Sequence, residues 1–238
     1  MFYFDPLYMI IGFIGMILVF LPQMFVKNTY AKYSKVESKN NITGAEIAKS
    51  ILSEAGITNV PVEATPGELT DHYDPTRKIL RLSHDNYYGT SLAALGVSAH
   101  EAGHAIQDFR GYLPMKLRAG IFPAVQAGQM LGPLLLMAGI SLRFFTGMGG
   151  GFSNLIAVAG LILYGSVVLF HMITLPVEFD ASFRAVRALS SGGYVVDDEI
   201  VGAKKVLYAA ALTYVAVALY ALMELVYWAW RLFGNNRD

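Results

Sequence analysis

The chain has no cysteine. Disulfides and thiolate-bound metals are therefore excluded, and any metal must sit on His, Asp or Glu. Histidine is itself scarce, with five in 238 residues. Charge is scarce too: 15% of residues are Asp, Glu, Lys or Arg, against about 25% in a soluble domain. The charges that remain cancel, 18 basic against 18 acidic. No global field draws the chain to nucleic acid or to an acidic partner. Residues 1–9 hold no basic side chain ahead of the first apolar run. A cleaved export signal opens on a positive stretch, so this run reads as a retained span.

Long apolar runs stand where charge is missing. A bilayer crossing needs about 20 mostly apolar residues. Runs of that kind lie between Asp5 and Lys27, between Arg118 and Arg143, from Phe152 to Leu175 around His171, and from Val206 to Trp230 with Glu224 near its far end. Tyr227, Trp228 and Trp230 read as an interfacial aromatic belt, as do Phe2, Tyr3, Phe4 and Tyr8. Gly147, Gly149, Gly150 and Gly151 read as a flexible link. The predicted architecture is a membrane α-helical protein of about four transmembrane helices with a cytoplasmic zincin-like α+β domain. Its parts are an N-terminal transmembrane helix (1–26), a soluble domain (27–118), two transmembrane helices (119–175), a soluble segment (176–205) and a last transmembrane helix with a short tail (206–238). Lys27, Lys32, Lys35 and Lys39 fall in one soluble part, and Arg184, Arg187, Lys204 and Lys205 in the other. The positive-inside rule puts both in the cytoplasm and both termini outside.

Local signals organise the soluble domain. Thr43-Gly44-Ala45-Glu46 fits a capping box, and the helix it opens ends at Gly56. Short β-like pieces follow (NVPVEA, ELTDHYD, KILRLS), with turns at Pro66-Gly67 and Asp74-Pro75. Ser91 to Phe109 reads as a helix and holds His100-Glu101-Ala102-Gly103-His104.

Two histidines one turn apart share a helix face and can bind one zinc ion. Glu101 is turned about 100° from His100, beside such an ion rather than on it. There it can take a proton from water and pass it to a leaving amine. The plainer reading is two helical histidines with a salt-bridging glutamate. A catalytic zinc needs a third protein ligand and an open position. The HExxHxxGxxH pattern is excluded by Gln107 and Arg110. Among later glutamates, Glu224 falls at the other membrane face, and Glu199 sits in an acidic cluster (Asp197-Asp198-Glu199) that suits a helix N-terminus. Glu178, just past the third span where Leu175-Pro176 ends or bends it, is the choice over a merely solvated charge.

The stretches ELTDHYDP, SLAALGVSAHEAGHAIQD, LPVEFDASFRA and GAKKVLYAAALTYVA resemble the bacterial YugP-like neutral zinc metallopeptidases over most of the chain. More distantly the chain is similar to the HtpX/Ste24 gluzincin-type membrane peptidases. The resemblance implies a bacterial inner-membrane peptidase with His100, His104 and Glu178 as zinc ligands and Glu101 as catalytic base. The HtpX-like pattern has Asp four residues after the glutamate; here that position is Ser182, and the nearby acid is Asp180.

Other residues carry two readings each. His72, in Asp71-His72-Tyr73-Asp74, is a substrate-orienting group or part of an Asx-type turn. Asp180 is a candidate to orient a zinc-bound histidine. Arg184 and Arg187 are oxyanion stabilisers or membrane anchors. His171 reads as a hydrogen-bonding residue of its span and His84 as a surface loop residue. Lys78–Ser83 is expected to be, or to neighbour, an edge strand that pairs with peptide substrate. The substrates implied are peptides or membrane proteins. The rival is a zinc-binding membrane scaffold or metal-handling protein without turnover, which has no need of Glu101.

Overall fold

The computed structural model describes residues 5–146, 151–196 and 198–234. Phe2, Tyr3 and Phe4, the link glycines Gly147, Gly149 and Gly150, and Asp197 lie outside the described residues. The element order is α1 (Pro6–Tyr33), α2 (Gly44–Glu54), β1 (Val62–Thr65), β2 (His72–Asp74), β3 (Ile79–Ser83), α3 (His84–Tyr88), α4 (Leu92–Phe109), α5 (Leu113–Thr146), α6 (Gly151–Ser191) and α7 (Glu199–Phe233). The fold is mostly helical, and α1, α5, α6 and α7 are long and apolar enough to cross a membrane. All four outrun the apolar runs that announced them. Lys, Arg and Glu are good helix formers, so a helix does not stop where hydrophobicity does. Likewise α6 passes through Pro176, although the missing proline N–H leaves the carbonyl of Met172 without its helical donor.

The chain divides into two compact units: one from residues up to Phe20, Leu117–Thr174 and Tyr214 onward, the other from Leu21–Lys116 and Leu175–Thr213. In the first, glycines let helices touch backbone to backbone. A Cβ on Gly139 would fall 2.6 Å from the nitrogen of Ala157, and one on Gly160 2.5 Å from that of Leu136. Small residues are the usual means of such close approach between apolar helices. The acidic groups among the described residues of this unit are answered by tyrosines. Glu224 accepts hydrogen bonds from the hydroxyls of Tyr164 (2.5 Å), Tyr220 (3.0 Å) and Tyr8 (3.5 Å). Asp5 caps α1 at the Leu7 N–H (2.9 Å) and accepts from the Tyr227 hydroxyl (2.7 Å).

In the second unit the capping box forms as read. Thr43 Oγ1 accepts from the Glu46 N–H (3.2 Å), and Glu46 accepts from the Thr43 N–H (2.9 Å). Gly56 follows with φ +77°, the left-handed turn that suits glycine. The sheet order is β1-β3-β2, with β1 parallel and β2 antiparallel to β3. Of the two places expected for Lys78–Ser83, the structure takes the second: β3 is the central strand, paired on both sides, and neighbours the edge. Leu80 and Leu82 explain its place, since both are fully buried, and each such leucine gains about 1.5–3 kcal/mol by leaving water. The free edge beside α4 is β2. Ile47, Ile51 and Leu52 of α2, Leu95, Ala99 and Ala102 of α4, and Ala185 and Leu189 of α6 complete the core around the sheet. His84 is exposed, as expected, but opens the short helix α3 rather than lying in a loop.

Candidate metal centre

Helix α4 starts at Ser91, whose hydroxyl accepts from the Ala94 N–H at 3.2 Å. Its inner face is built of small residues, and Gly103 is the tightest of them. A Cβ there would sit 2.7 Å from the carbonyl oxygen of Ala181 and 3.2 Å from its Cα. The two helix backbones are therefore in contact. Glu178 lies three residues before Ala181, on the same face of α6. Close approach at Gly103 thus delivers the Glu178 carboxylate to the two histidines one turn along.

The imidazoles of His100 and His104 stand with ring centres 4.7 Å apart. Glu178 Oε2 lies 3.3 Å from His100 Nε2 and 3.6 Å from His104 Nε2. One ligand atom from each of the three falls within 4.8 Å of the others. Glu178 is 3% exposed, while each histidine side chain keeps 13% open. Burial pulls the His104 imidazole down, but the Glu178 hydrogen bond and the Glu101 charge outweigh it and hold the group above its ordinary value. The pocket therefore favours positive charge. Glu101 is not one of the trio and is buried; its Oε2 accepts from the Tyr73 N–H of edge strand β2 at 3.0 Å.

A layer of hydrogen bonds stands behind the trio. His104 Nδ1 lies 3.0 Å from Gln107 Oε1. Gln107 Nε2 donates to the Val177 carbonyl (2.7 Å) and to Asp180 (2.8 Å), and Arg184 donates to the same Asp180 oxygen (2.6 Å). Ser182 Oγ lies 3.2 Å from His100 Nδ1. Asp180 therefore reaches a histidine through Gln107 rather than directly. Ser182 occupies the place that the HtpX-like pattern gives to Asp. Arg184 is paired to Asp180 instead of facing the trio. His72 is not brought in: it is exposed, with Nδ1 2.8 Å from the Thr70 carbonyl, while its neighbour Tyr73 turns inward. The Asx turn of that segment belongs to Asp74, which accepts from the N–H groups of Thr76 and Arg77. Gln107, Ser182, Gly103 and Tyr73 were not among the expected site residues. Gln107 had a sequence signal, since it stands three residues after His104 on one helix face.

The family model "Putative neutral zinc metallopeptidase" matches residues 8–232. The chain belongs to this family. "Putative membrane protease YugP" of Bacillus subtilis (strain 168) is 47% identical over 221 residues, covering 93% of this chain and 94% of that relative. No solved structure matches. A zinc metallopeptidase family implies zinc, and the donor set fits it. Tetrahedral zinc with nitrogen and oxygen donors at about 2.0–2.2 Å sets those donors about 3.3–3.6 Å apart. The two histidine-to-Glu178 separations fall at the ends of that range. Three protein donors would leave a fourth tetrahedral position to a non-protein ligand.

Proposed function

We propose that this protein is an integral-membrane zinc-dependent metallopeptidase in which His100, His104 and Glu178 hold one zinc ion and Glu101 is the general base. The observation that carries this reading is the convergence of three donor side chains beside a separate, pinned carboxylate. Zinc at such a site supplies Lewis acidity toward water and toward a peptide carbonyl. The chain's own residues supply the rest. The Tyr73 N–H fixes one Glu101 oxygen, leaving the other to take the proton of the attacking water and return it to the departing amine. Edge strand β2, which carries that N–H, is the backbone an extended peptide would meet first.

The basic residues of both soluble segments support a site at the cytoplasmic face of a bacterial inner membrane, with both termini outside. Four spanning-length helices and a relative named as a membrane protease support membrane proteins, their loops or hydrophobic peptides as substrates. The alternative, a zinc-binding scaffold or metal-handling protein, uses Glu101 only to hold the Tyr73 N–H and has no need of its second oxygen.

The test is metal content together with cleavage of casein and of membrane peptides, on wild type and Glu101→Gln. Both should hold about one zinc, and the variant should lose roughly 10²–10⁴-fold in turnover. Zinc in both with cleavage by neither would favour the scaffold. Wild type without tight metal would overturn the reading.

A further inference from the structure

We propose that Gln107 is a positioning residue that fixes His104 in the one tautomer able to bind a metal through Nε2. The inference rests on the zinc reading above and extends it to a residue outside the trio.

Gln107 is completely buried, 0% exposed, so its polar atoms must be answered by protein. An amide offers N–H donors on one side and only an acceptor on the other. Here the nitrogen side faces two groups that can only accept, the Val177 carbonyl and the Asp180 carboxylate. Arg184 Nε, which can only donate, meets the same Asp180 oxygen at 2.6 Å, so that oxygen is an acceptor toward both neighbours. Turning the amide over would set an oxygen against both acceptors. The amide therefore has one allowed orientation, and it aims Oε1 at His104 Nδ1. Nδ1 must then carry the proton. In the neutral imidazole the lone pair of His104 is then on Nε2, the atom that faces Glu178. A polarity set by Arg184 is thus passed through Asp180 and Gln107 to the imidazole.

His100 has no such constraint. Its Nδ1 meets the Ser182 hydroxyl, which can donate or accept. The two histidines are unequal by construction: His104 is preset and His100 adjusts.

The test uses the full-length protein in detergent with three variants. Gln107→Met keeps shape and removes polarity; Asp180→Asn removes the acceptor-only group; Ser182→Ala removes the hydroxyl. Zinc affinity is read by chelator competition and histidine tautomers by ¹⁵N spectra of the metal-free protein, with thermal unfolding as a folding check. Wild type should show His104 with its proton on Nδ1. Gln107→Met should mix the tautomers and weaken zinc binding by about 10–100-fold, the usual effect of losing a group that orients a ligand. Asp180→Asn should move both readouts the same way, and it serves alone if Gln107→Met does not fold. Ser182→Ala should weaken zinc by less than about 10-fold and leave the His104 tautomer unchanged. An unchanged His104 tautomer and unchanged zinc affinity in the folded Gln107 or Asp180 variants would overturn the proposal. A wild type without zinc would instead overturn the reading beneath it.

Discussion

Each unit of the molecule carries a glutamate on a long apolar helix, half-buried at Glu224 and buried at Glu178, and the two are answered in opposite ways. Glu224 on α7 is met by three tyrosine hydroxyls, from Tyr220 on its own helix, Tyr164 on α6 and Tyr8 on α1. A phenol brings its own proton, so this carboxylate is satisfied by neutral donors and ties three helices together. Glu178 on α6 is met by two imidazole nitrogens. With His104 held in the tautomer that Gln107 permits, Nε2 offers a lone pair to a carboxylate. Two acceptors facing each other in a buried place call for a proton or a metal ion between them. The function of a buried carboxylate is thus written in its neighbours' hydrogens, not in its burial.

Exchanging each glutamate for glutamine breaks the comparison most directly. Glu178→Gln should lose zinc by more than the roughly 10–100-fold typical of supporting residues, and peptide cleavage should fall to background. Glu224→Gln should keep both zinc and turnover. Its cost should appear in detergent stability, at about 1–2 kcal/mol, since each interhelical hydrogen bond is worth about 0.6 and at most about 1.7 kcal/mol. Metal content and thermal unfolding of the two purified variants decide it. Zinc lost from the Glu224 variant and retained by the Glu178 variant would reverse the roles assigned here.

A smaller effect separates two glycines of α4. At Gly103 an added Cβ would strike the backbone of Ala181 at 2.7 Å, and backbone cannot swing aside. Gly103→Ala should push α6 from α4, carry Glu178 off the histidines and weaken zinc by at least about 10-fold. At Gly96 the nearest atoms belong to Ala203, at 3.6 Å, which is ordinary contact. Gly96→Ala should keep the site and stabilise the unit by about 0.4–1 kcal/mol through the unfolded chain. Chelator competition and unfolding curves on the pair measure both numbers. Native zinc affinity in Gly103→Ala would show slack at the helix contact.

Gly103 also marks where sequence reading ran out. The four long helices, α2 with its cap, and α4 were legible because apolar length, helical period and capping residues are local signals. His100 and His104 were legible because one helix sets their spacing. Glu178 needed elimination among three glutamates, and the structure brings it to the histidines. Strand order was half legible: Lys78–Ser83 was expected to be or to neighbour an edge strand, and because pairing partners are nonlocal only the structure chooses between the two, with β3 at the centre. Gln107 counted only as the residue that excluded a different ligand pattern. Its role depends on Val177 and Asp180, 70 and 73 positions later. Asp180 was expected to orient a zinc-bound histidine; it meets His104 only by way of Gln107, an amide on the other helix.

The capping box at Thr43 and Glu46 gives the smallest effect and sharpens the rest. Helix α2 packs into the core that backs α4 but contributes none of the trio. Thr43→Ala should cost about 1 kcal/mol, the usual loss of a cap, and leave zinc affinity and cleavage unchanged. The effect should depend on pH with a definite sign. The Thr43 backbone hydrogen bond, with the Thr43 hydroxyl, holds the Glu46 carboxyl below its ordinary value of 4.5. Its contribution is therefore present above that value and lost as pH falls through the lower folded value. The gap in unfolding between wild type and Thr43→Ala should narrow in acid without closing. The hydroxyl bond to Glu46 is lost with protonation, the backbone N–H of position 43 keeps its bond to Glu46 in both proteins, and the Glu46 N–H lacks its Thr43 partner in the variant at every pH. If Thr43→Ala lost zinc as Gly103→Ala is expected to, the site would be failing through general loosening of its unit. If it keeps zinc while losing stability, the Gly103 result reports the α4–α6 distance itself.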